Sequence, residues 1–393
     1  MASRTVDRDA AVLTLLRDRN ATRPQIADET GMSKPTVSAA IAALEQVGLV
    51  RQDGQIVGAT GRSPVVYSLN ATARLVVGID VGGVNTRAAI ADLRGTILIE
   101  QTELTRSTGV TNQVSDIIGR LRARVARQLN CPRPQLAAIV LSTPGVIAAD
   151  GTVRLAYNVD SAGSLNYAPL KARLRAPLRI ENNVNLAAIG EHRLGAARHV
   201  KTFLQVSVGA GIGVGTIYDG RLLRGHNGAA GEISYLPIGA KPLGAQLETG
   251  NYESVTAAAG LLQRAQSKSW PDRPPHDVAE LFTWAAEGDA TARKLVADEG
   301  TRIGLAVVAA RAIVDPELVV LGGGIGRNEL LVAPVAAVSE RLLPVPCPIV
   351  TTELADRGSL IGAVVSAADD AWQDIMNGLG ATADPPAPHS EKE

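Results

Sequence analysis

The stretch Leu178-Arg-Ile-Glu-Asn-Asn-Val-Asn-Leu-Ala-Ala-Ile-Gly-Glu191 constrains this chain more than any other. Leu178 to Ile180 reads as a short buried strand. A helix follows at once, with Leu186, Ala187 and Ile189 recurring at helical spacing. Asn182 or Asn183 is a good N-cap, because an amide carbonyl can accept from a backbone N–H of the first turn. Polar groups thus crowd the carboxyl end of a strand and the positive end of a helix, a usual place for a ligand in an α/β fold. A plain capped helix start is the competing reading of these residues alone.

The rest of the chain repeats one plan twice. Leu75-Val-Val-Gly-Ile-Asp-Val-Gly-Gly83 is a buried strand running into a glycine turn. Thr86 to Asp92 and Thr96 to Glu103 extend it into a three-stranded meander. A helix over roughly Val110 to Leu129 and a strand from Leu136 to Leu141 complete the unit. Later, Phe203 to Gly215 is again a strand with a glycine turn, and Thr216 to Arg224 makes another hairpin. A helical region spans about 278 to 314, and Leu318 to Leu321 is a strand ending in Gly322-Gly-Gly324. Such a duplication predicts two similar lobes facing each other across a cleft.

Ahead of these lobes the order of elements predicts a winged helix-turn-helix over residues 1–70. An amphipathic helix from about Asp7 to Arg19 presents Val12, Leu13, Leu15 and Leu16. A short helix carries Pro24 in its first turn and stops at Gly31. A third helix has Ser33 as its cap, Pro35 in its first turn, Val37, Ile41 and Leu44 on one face, and Gly48 at its end. Two strands around Ala59-Thr-Gly-Arg-Ser-Pro64 form the wing. Residues 1–70 hold eight basic and seven acidic side chains, so no bulk positive field surrounds this head. Ser33, Lys34, Thr36 and Ser38 are the expected DNA contacts, with Arg62 reaching a minor groove or phosphate. A weakly charged head needs a second copy for affinity and register, so the expected partner is an inverted-repeat operator bound by a homodimer or higher homo-oligomer.

Glu181-Asn-Asn-Val-Asn-Leu-Ala-Ala-Ile-Gly-Glu191 resembles the Glu-Asn-Asp-x-Asn-x-x-Ala-x-Gly-Glu segment of the ROK family (repressors, open reading frames and sugar kinases). The resemblance runs from about residue 10 to 370 and includes the Gly61-Arg62-Ser63-Pro64 wing tip. It implies ribonuclease-H-like lobes of the actin, hexokinase and sugar-kinase superfamily: an α/β two-lobed body behind a winged helix-turn-helix. The expected divisions are 1–70 for the head, 71–74 for a linker, 75–180 for the first lobe with a closing helix at about 358–370, and 181–357 for the second. Residues 380–393, rich in proline and charge, are expected to be a disordered tail.

The family's kinases use the Asp of that segment as general base. Asn183 stands there in this chain, and an amide has no useful proton affinity near neutral pH. By resemblance, Asp80, Gly82 and Gly83 match the first phosphate turn, Gly209, Gly211 and Gly213 the second, and Gly323 the adenosine-side turn. The family's threonines in the two phosphate turns are Val84 and Ala210 here, so two hydroxyl donors are lost. Asn158, Asn182, Glu232 and Glu253 match sugar hydroxyl contacts, while Asn183 and Tyr235 are changed from Asp and His. The family's zinc ligands, one His and three Cys, correspond to Tyr235, Gly244, Gln246 and Asn251, so no metal and no cofactor is expected.

The sequence therefore predicts a sugar-responsive DNA-binding repressor with a degenerate kinase site, with a sugar or sugar phosphate as effector. An active sugar kinase carrying a DNA-binding head and a ligand-independent DNA-binding scaffold are the alternatives. Cys131 and Cys347 do not suggest a disulfide framework. The start of the chain lacks an apolar signal core and no apolar run is long enough to span a bilayer, so the expected location is cytoplasmic.

Overall fold

The computed structural model describes residues 2–55, 64–106, 108–148, 151–155, 164–165, 167–174, 176–238 and 252–379. The head comprises α1 (Ala2–Asp18), β1 (Ala21–Thr22), α2 (Arg23–Thr30), α3 (Lys34–Gln46), β2 (Val50–Gln55) and β3 (Val65–Leu69). Helix α1 begins at Ala2 rather than near Asp7, since no glycine or proline interrupts its first turns. Val12, Leu13 and Leu16 pack against Val37, Ile41 and Leu44 of α3 in one core. Ser33 caps α3, its hydroxyl accepting from the Thr36 N–H at 3.3 Å. The wing has a third strand that the sequence did not announce: β1 pairs with β3 through Ala21 and Tyr67. Two residues between helices carry no readable alternation, so only the fold reveals this strand. The wing tip with Arg62, and the tail beyond 379, lie outside the described residues.

The body follows as β4 (Leu75–Val81), β5 (Asn85–Asp92), β6 (Ile97–Leu104), α4 (Val110–Gln128), β7 (Leu136–Thr143), the short strands β8 (Val146–Ile147), β9 (Val153–Arg154) and β10 (Ser164–Leu165), α5 (Ala168–Leu174), β11 (Leu178–Asn182) and α6 (Asn183–Leu194). Then come β12 (Phe203–Val208), β13 (Ile212–Tyr218), β14 (Arg221–Leu222), α7 (Glu253–Thr256), α8 (Ala258–Gln266), α9 (Val278–Glu287), α10 (Ala290–Val314), β15 (Leu318–Gly322), α11 (Gly323–Gly326), α12 (Val332–Leu342), β16 (Ile349–Thr351) and α13 (Gly358–Gly378). The first sheet has the order β11-β7-β4-β5-β6 and the second β16-β15-β12-β13-β14. In each, a central strand pairs antiparallel with its hairpin partner and parallel with the strand that returns after the helix. The duplicated plan is thus two sheets of identical pairing, the two-lobed architecture expected. Strand β11 stays in the first sheet through Asn182, which pairs with Thr143.

Two helices join the lobes. Helix α13 places Leu360, Ala363, Val364 and Ala367 in the core that holds Val76 and Val140 of the first sheet. Helix α6 gives Leu186 to that core and Ala188 to the core of Phe203, Ile217 and Val320 in the second. The helices cross so closely that a side chain on Gly362 would collide with the Leu186 carbonyl, and one on Gly190 would sit 2.7 Å from the Gly358 carbonyl.

The head is docked, not tethered. Residues 71–73 form a single 3-10 turn. Asn70 donates its side-chain amide to the Gly48 carbonyl at 2.9 Å, and Leu93 donates its N–H to the Ala71 carbonyl at 3.0 Å. Val12, Leu13 and Leu16 share a continuous apolar core with Leu93, Ala371 and Trp372. The short linker expected at 71–74 is held as a bonded turn, because both of its neighbours bury apolar surface against each other. Among the described residues no helix is long and apolar enough to cross a membrane.

Gly362→Ala should destabilise the protein by roughly 1–3 kcal/mol or more, since neither crossing backbone can retreat. Gly119→Ala on α4, where nothing lies within 4 Å, should instead be neutral or stabilise by a few tenths of a kcal/mol up to about 1. Urea midpoints of the two variants measure the difference.

Candidate functional site

A cleft of about 260 Å3 opens between the lobes. It is lined by Asp80, Gly82 and Gly83 from the first sheet, Asn182 and Asn183 from the start of α6, Gly209, Gly211 and Gly213 from the second sheet's turn, and Glu232, Tyr235, Glu253 and Gly323. Every described residue expected in the sugar and nucleotide sites reaches this one cleft. Asn158 and the positions Gly244, Gln246 and Asn251 lie outside the described residues.

The helix start is built by Asn182. Its Oδ1 accepts from the N–H groups of Val184 at 2.8 Å and Asn185 at 3.1 Å, and its Nδ2 donates to the Gly145 carbonyl at 2.9 Å. Capping therefore uses most of the side chain, and one amide hydrogen remains for a ligand. This narrows the expected hydroxyl contact at Asn182, because the helix must satisfy its own first N–H groups. Asn183 follows in the first turn and lines the cleft, its backbone carbonyl held by the Ser359 hydroxyl at 2.9 Å. Its side chain offers the cleft an amide, not a carboxyl group.

Across the cleft, Glu253 accepts from the Ile212 N–H at 3.2 Å, so the carboxylate is fixed by the second sheet. Burial pushes the Glu253 carboxyl up. Burial and the neighbouring Glu253 push Glu232 up to about 7. At neutral pH one member of the pair can donate and the other accept, which suits adjacent hydroxyls. Asp80 is also buried and its carboxyl raised by burial, although the Ser142 hydroxyl donates to it at 2.8 Å and Arg87 lies 3.6 Å away.

The glycine turns are partly self-satisfied. Gly82 donates its N–H to the Asn85 carbonyl at 2.9 Å, and Gly209 donates its own to the Gly211 carbonyl at 2.8 Å. Val84, in place of the threonine, is two-thirds exposed to solvent. Among the described lining residues there is no Lys, Arg or His.

Tyr252 is buried and donates its hydroxyl to the Arg302 carbonyl, whereas Tyr235 is 42% exposed at the cleft. Tyr235 is a lining group, not a packing anchor, because a short 3-10 turn at 233–235 carries it outward. No cluster of three His, Cys, Asp or Glu able to hold a metal occurs among the described residues. Sequence reasoning missed Ser207, Ser234 and Ser359, which also line the cleft. Isolated serines carry no spacing signal, and only the approach of α13 and the second sheet brings them in.

In the head, Ser33 and Lys34 are exposed, with Thr36 and Ser38 half-buried on α3. The Ser33 and Thr36 hydroxyls bond each other at 2.7 Å. Among the described side chains, Arg8 pairs with Asp9 and Arg19 with Glu29, Arg23 lies over the Tyr67 ring, and Arg17 reaches across to Asp369 of α13. Lys34 is left as the prominent charge at the start of α3.

Glu232 gives a pH signature. Its carboxyl is raised from 4.5 to about 7, so the unfolded chain ionises first and folding stability falls as pH rises through that window. Below it both states are protonated and nothing is lost. Glu232→Gln should therefore match the parent near pH 4 and exceed it by roughly 1–3 kcal/mol at pH 8. Thermal melts across that range check this.

The profile of the ROK family matches residues 76–370, and that of the IclR helix-turn-helix domain matches residues 5–54. The chain is 28% identical to the xylose repressor of Bacillus subtilis over 257 residues, covering 65% of this chain and 66%, just under two thirds, of that protein. It superposes on the ROK hexokinase of Thermus thermophilus with a TM-score of 0.62 at 29% identity, over 77% of this chain and all of that one. A ROK family transcriptional regulator, a homologue of the Escherichia coli MLC protein, superposes with a TM-score of 0.73 over 96% of this chain and 99% of that one, at 17% identity, which shows the shared fold. Because the family profile covers about three quarters of the sequence, from the first strand of the body to the middle of α13, the chain belongs to the ROK family.

Proposed function

We propose that this protein is a DNA-binding transcriptional repressor that senses an unphosphorylated sugar or sugar derivative and does not phosphorylate it. The observation that carries the reading is Asn183: the helix start that faces the sugar side of the cleft offers an amide where a base is required. General-base catalysis is worth roughly 10²- to 10⁴-fold. Val84 and Ala210 remove two further hydroxyls from the nucleotide turns. The helix-turn-helix profile over 5–54 and the likeness to the xylose repressor of Bacillus subtilis support the regulator. A cleft with three carboxyl groups and no cationic side chain among its described lining favours a neutral polyol over an anion.

The second reading, a kinase that gained a head, is favoured by the likeness to the Thermus thermophilus hexokinase. Turnover separates the two. Phosphoryl transfer from ATP to a sugar hydroxyl should be absent, and a rate of about 1–100 s⁻¹, usual for kinases, would sink the regulator reading. Purified protein should likewise carry no stoichiometric zinc after chelator washing, as elemental analysis can show.

DNA binding should be dimeric, with two heads on half-sites one helical turn or a multiple apart. Lys34→Ala should weaken operator binding and lower the salt slope by about one if Lys34 meets a phosphate. Arg62→Ala should weaken binding across sequences. Electrophoretic titrations in which both variants equal the parent would remove α3 and the wing as the reading surface.

A further inference from the structure

A connected set of ion pairs runs from the cleft to the head, and neither site uses it. Glu181, near the end of β11, has a side chain only 6% exposed. Its Oε1 accepts from the Asn182 N–H and from Asn185 Nδ2, each at 3.1 Å, so it braces the helix start that lines the cleft. Its Oε2 accepts from Arg224 Nε at 2.7 Å. Arg224 belongs to the other lobe, where the neighbouring Leu223 N–H bonds the Thr216 carbonyl of β13 at 2.9 Å. Arg179 lies two residues before Glu181, on the same face of β11. One of its guanidinium nitrogens stands 3.8 Å from that same Oε2, while the others donate to Asp370 at 2.8 and 3.3 Å. The adjacent Asp369 accepts at one oxygen from Arg193 of α6 and from Arg17 of the head, both at 3.1 Å. Arg17 also lies over the Trp372 ring, 4.5 Å from its centroid.

We propose that Glu181 is a positioning residue that exchanges arginines, Arg224 when the lobes are together and Arg179 when they part, and so sets through Asp370 and Asp369 how firmly α1 is held on α13. A buried carboxylate cannot stand without a partner. When the second lobe moves off, Arg224 leaves with its sheet, and Arg179 is already within reach of the vacated oxygen. Taking it strips Asp370 of both its bonds. Asp370 then competes with its neighbour Asp369 for Arg193 and Arg17. The outer pairs are half-exposed and individually weak, which suits a contact that must be released. The set has two arrangements that one motion biases, which is the physical requirement for coupling between distant sites. The consequence for operator binding rests on the repressor reading above, while the latch itself does not.

Hydrogen–deuterium exchange of the full chain tests it, read in peptides from Ala2–Asp18. Arg224→Gln should raise exchange there about 5-fold or more. Asp370→Asn should exchange like the parent, and added to Arg224→Gln it should return exchange toward the parent, because the neutral amide no longer competes for Arg17. Glu181→Gln combined with Arg224→Gln should return exchange toward the parent, because a neutral Glu181 substitute no longer draws Arg179 away. That rescue also excludes simple misfolding of the single variant. Arg120→Ala, which breaks the pair with Glu103 on the first lobe, should leave α1 unchanged. Parent-like exchange in Arg224→Gln, or the full rise persisting when Asp370→Asn is added to it, would overturn the latch. An operator titration run beside it keeps the two readings apart: a parent that binds no operator refutes the repressor, and the exchange data still decide the latch.

Discussion

The crossing of α6 and α13 governs the rest of the body. Helix α13 packs on the first sheet and α6 is shared between the cores of both, and Gly362 and Gly190 bring their backbones into direct contact. Helix α13 is thereby fixed to the first sheet on one side and to α6 on the other. Helix α6 starts at the cleft and ends beside the head junction, so its two ends serve different sites. A crossing this close leaves little freedom to slide, since packed interiors resist deformation. Relative motion of the lobes must therefore occur on the far side of α6, where it meets β12 and β13 through the smaller core around Ala188 and Phe203. The first sheet, α6, α13 and the docked head form the firm part on this argument. The second sheet with its helices is the part that a ligand can draw in.

That division explains the placement of polar groups. Asn183 and Asp80 line the cleft from the firm part, Glu232 and Glu253 from the other. A polyol that bridges them gains hydrogen bonds only when both sets are within reach, and it shifts the balance of states by that difference alone. On the proposed reading, an amide at Asn183 does not impair this, because amide, hydroxyl and carboxyl groups still satisfy hydroxyls in pairs. Such a change removes proton transfer and leaves recognition, provided the bracing of the helix start survives. It does survive here: Asn182 still caps α6, and Glu181 still holds the Asn182 and Asn185 nitrogens.

Much of this was legible in the sequence. The repeated strand, glycine turn and hairpin gave both sheets, because alternating and fully buried strands are local patterns bounded by local turn residues. Gly31, Ser33 and Gly48 marked the ends of α2 and α3 for the same reason, and Gly31 and Gly48 do adopt positive φ. The twelve described residues that the resemblance singled out all line one cleft. What escaped was non-local. Strand β1 is two residues long and exists only because Tyr67 lies opposite Ala21. The turn at 71–73 reads as a linker, since nothing in Ala-Thr-Ala shows that Leu93 bonds it. Tyr235 and Tyr252 were equivalent in sequence, yet one is buried and the other faces the cleft.

The head illustrates why composition misleads about partners. Equal numbers of basic and acidic residues in the chain argue for no partner, and the head is nearly as balanced. The structure sharpens this, because most of its arginines are already used. Arg17 secures the head to α13, Arg23 covers Tyr67 in the wing sheet, and Arg19 pairs with Glu29 on α2. These cations hold the head together and hold it in place, so they are unavailable to phosphates. Affinity for a polyanion then depends on a few exposed groups such as Lys34, and each would act as a point contact rather than as part of a field. A head of this kind gains little from sliding over non-specific DNA. On the proposed dimeric reading, selectivity comes from the simultaneous fit of two heads, and how firmly α1 sits on α13 governs how far each head can stray from that fit.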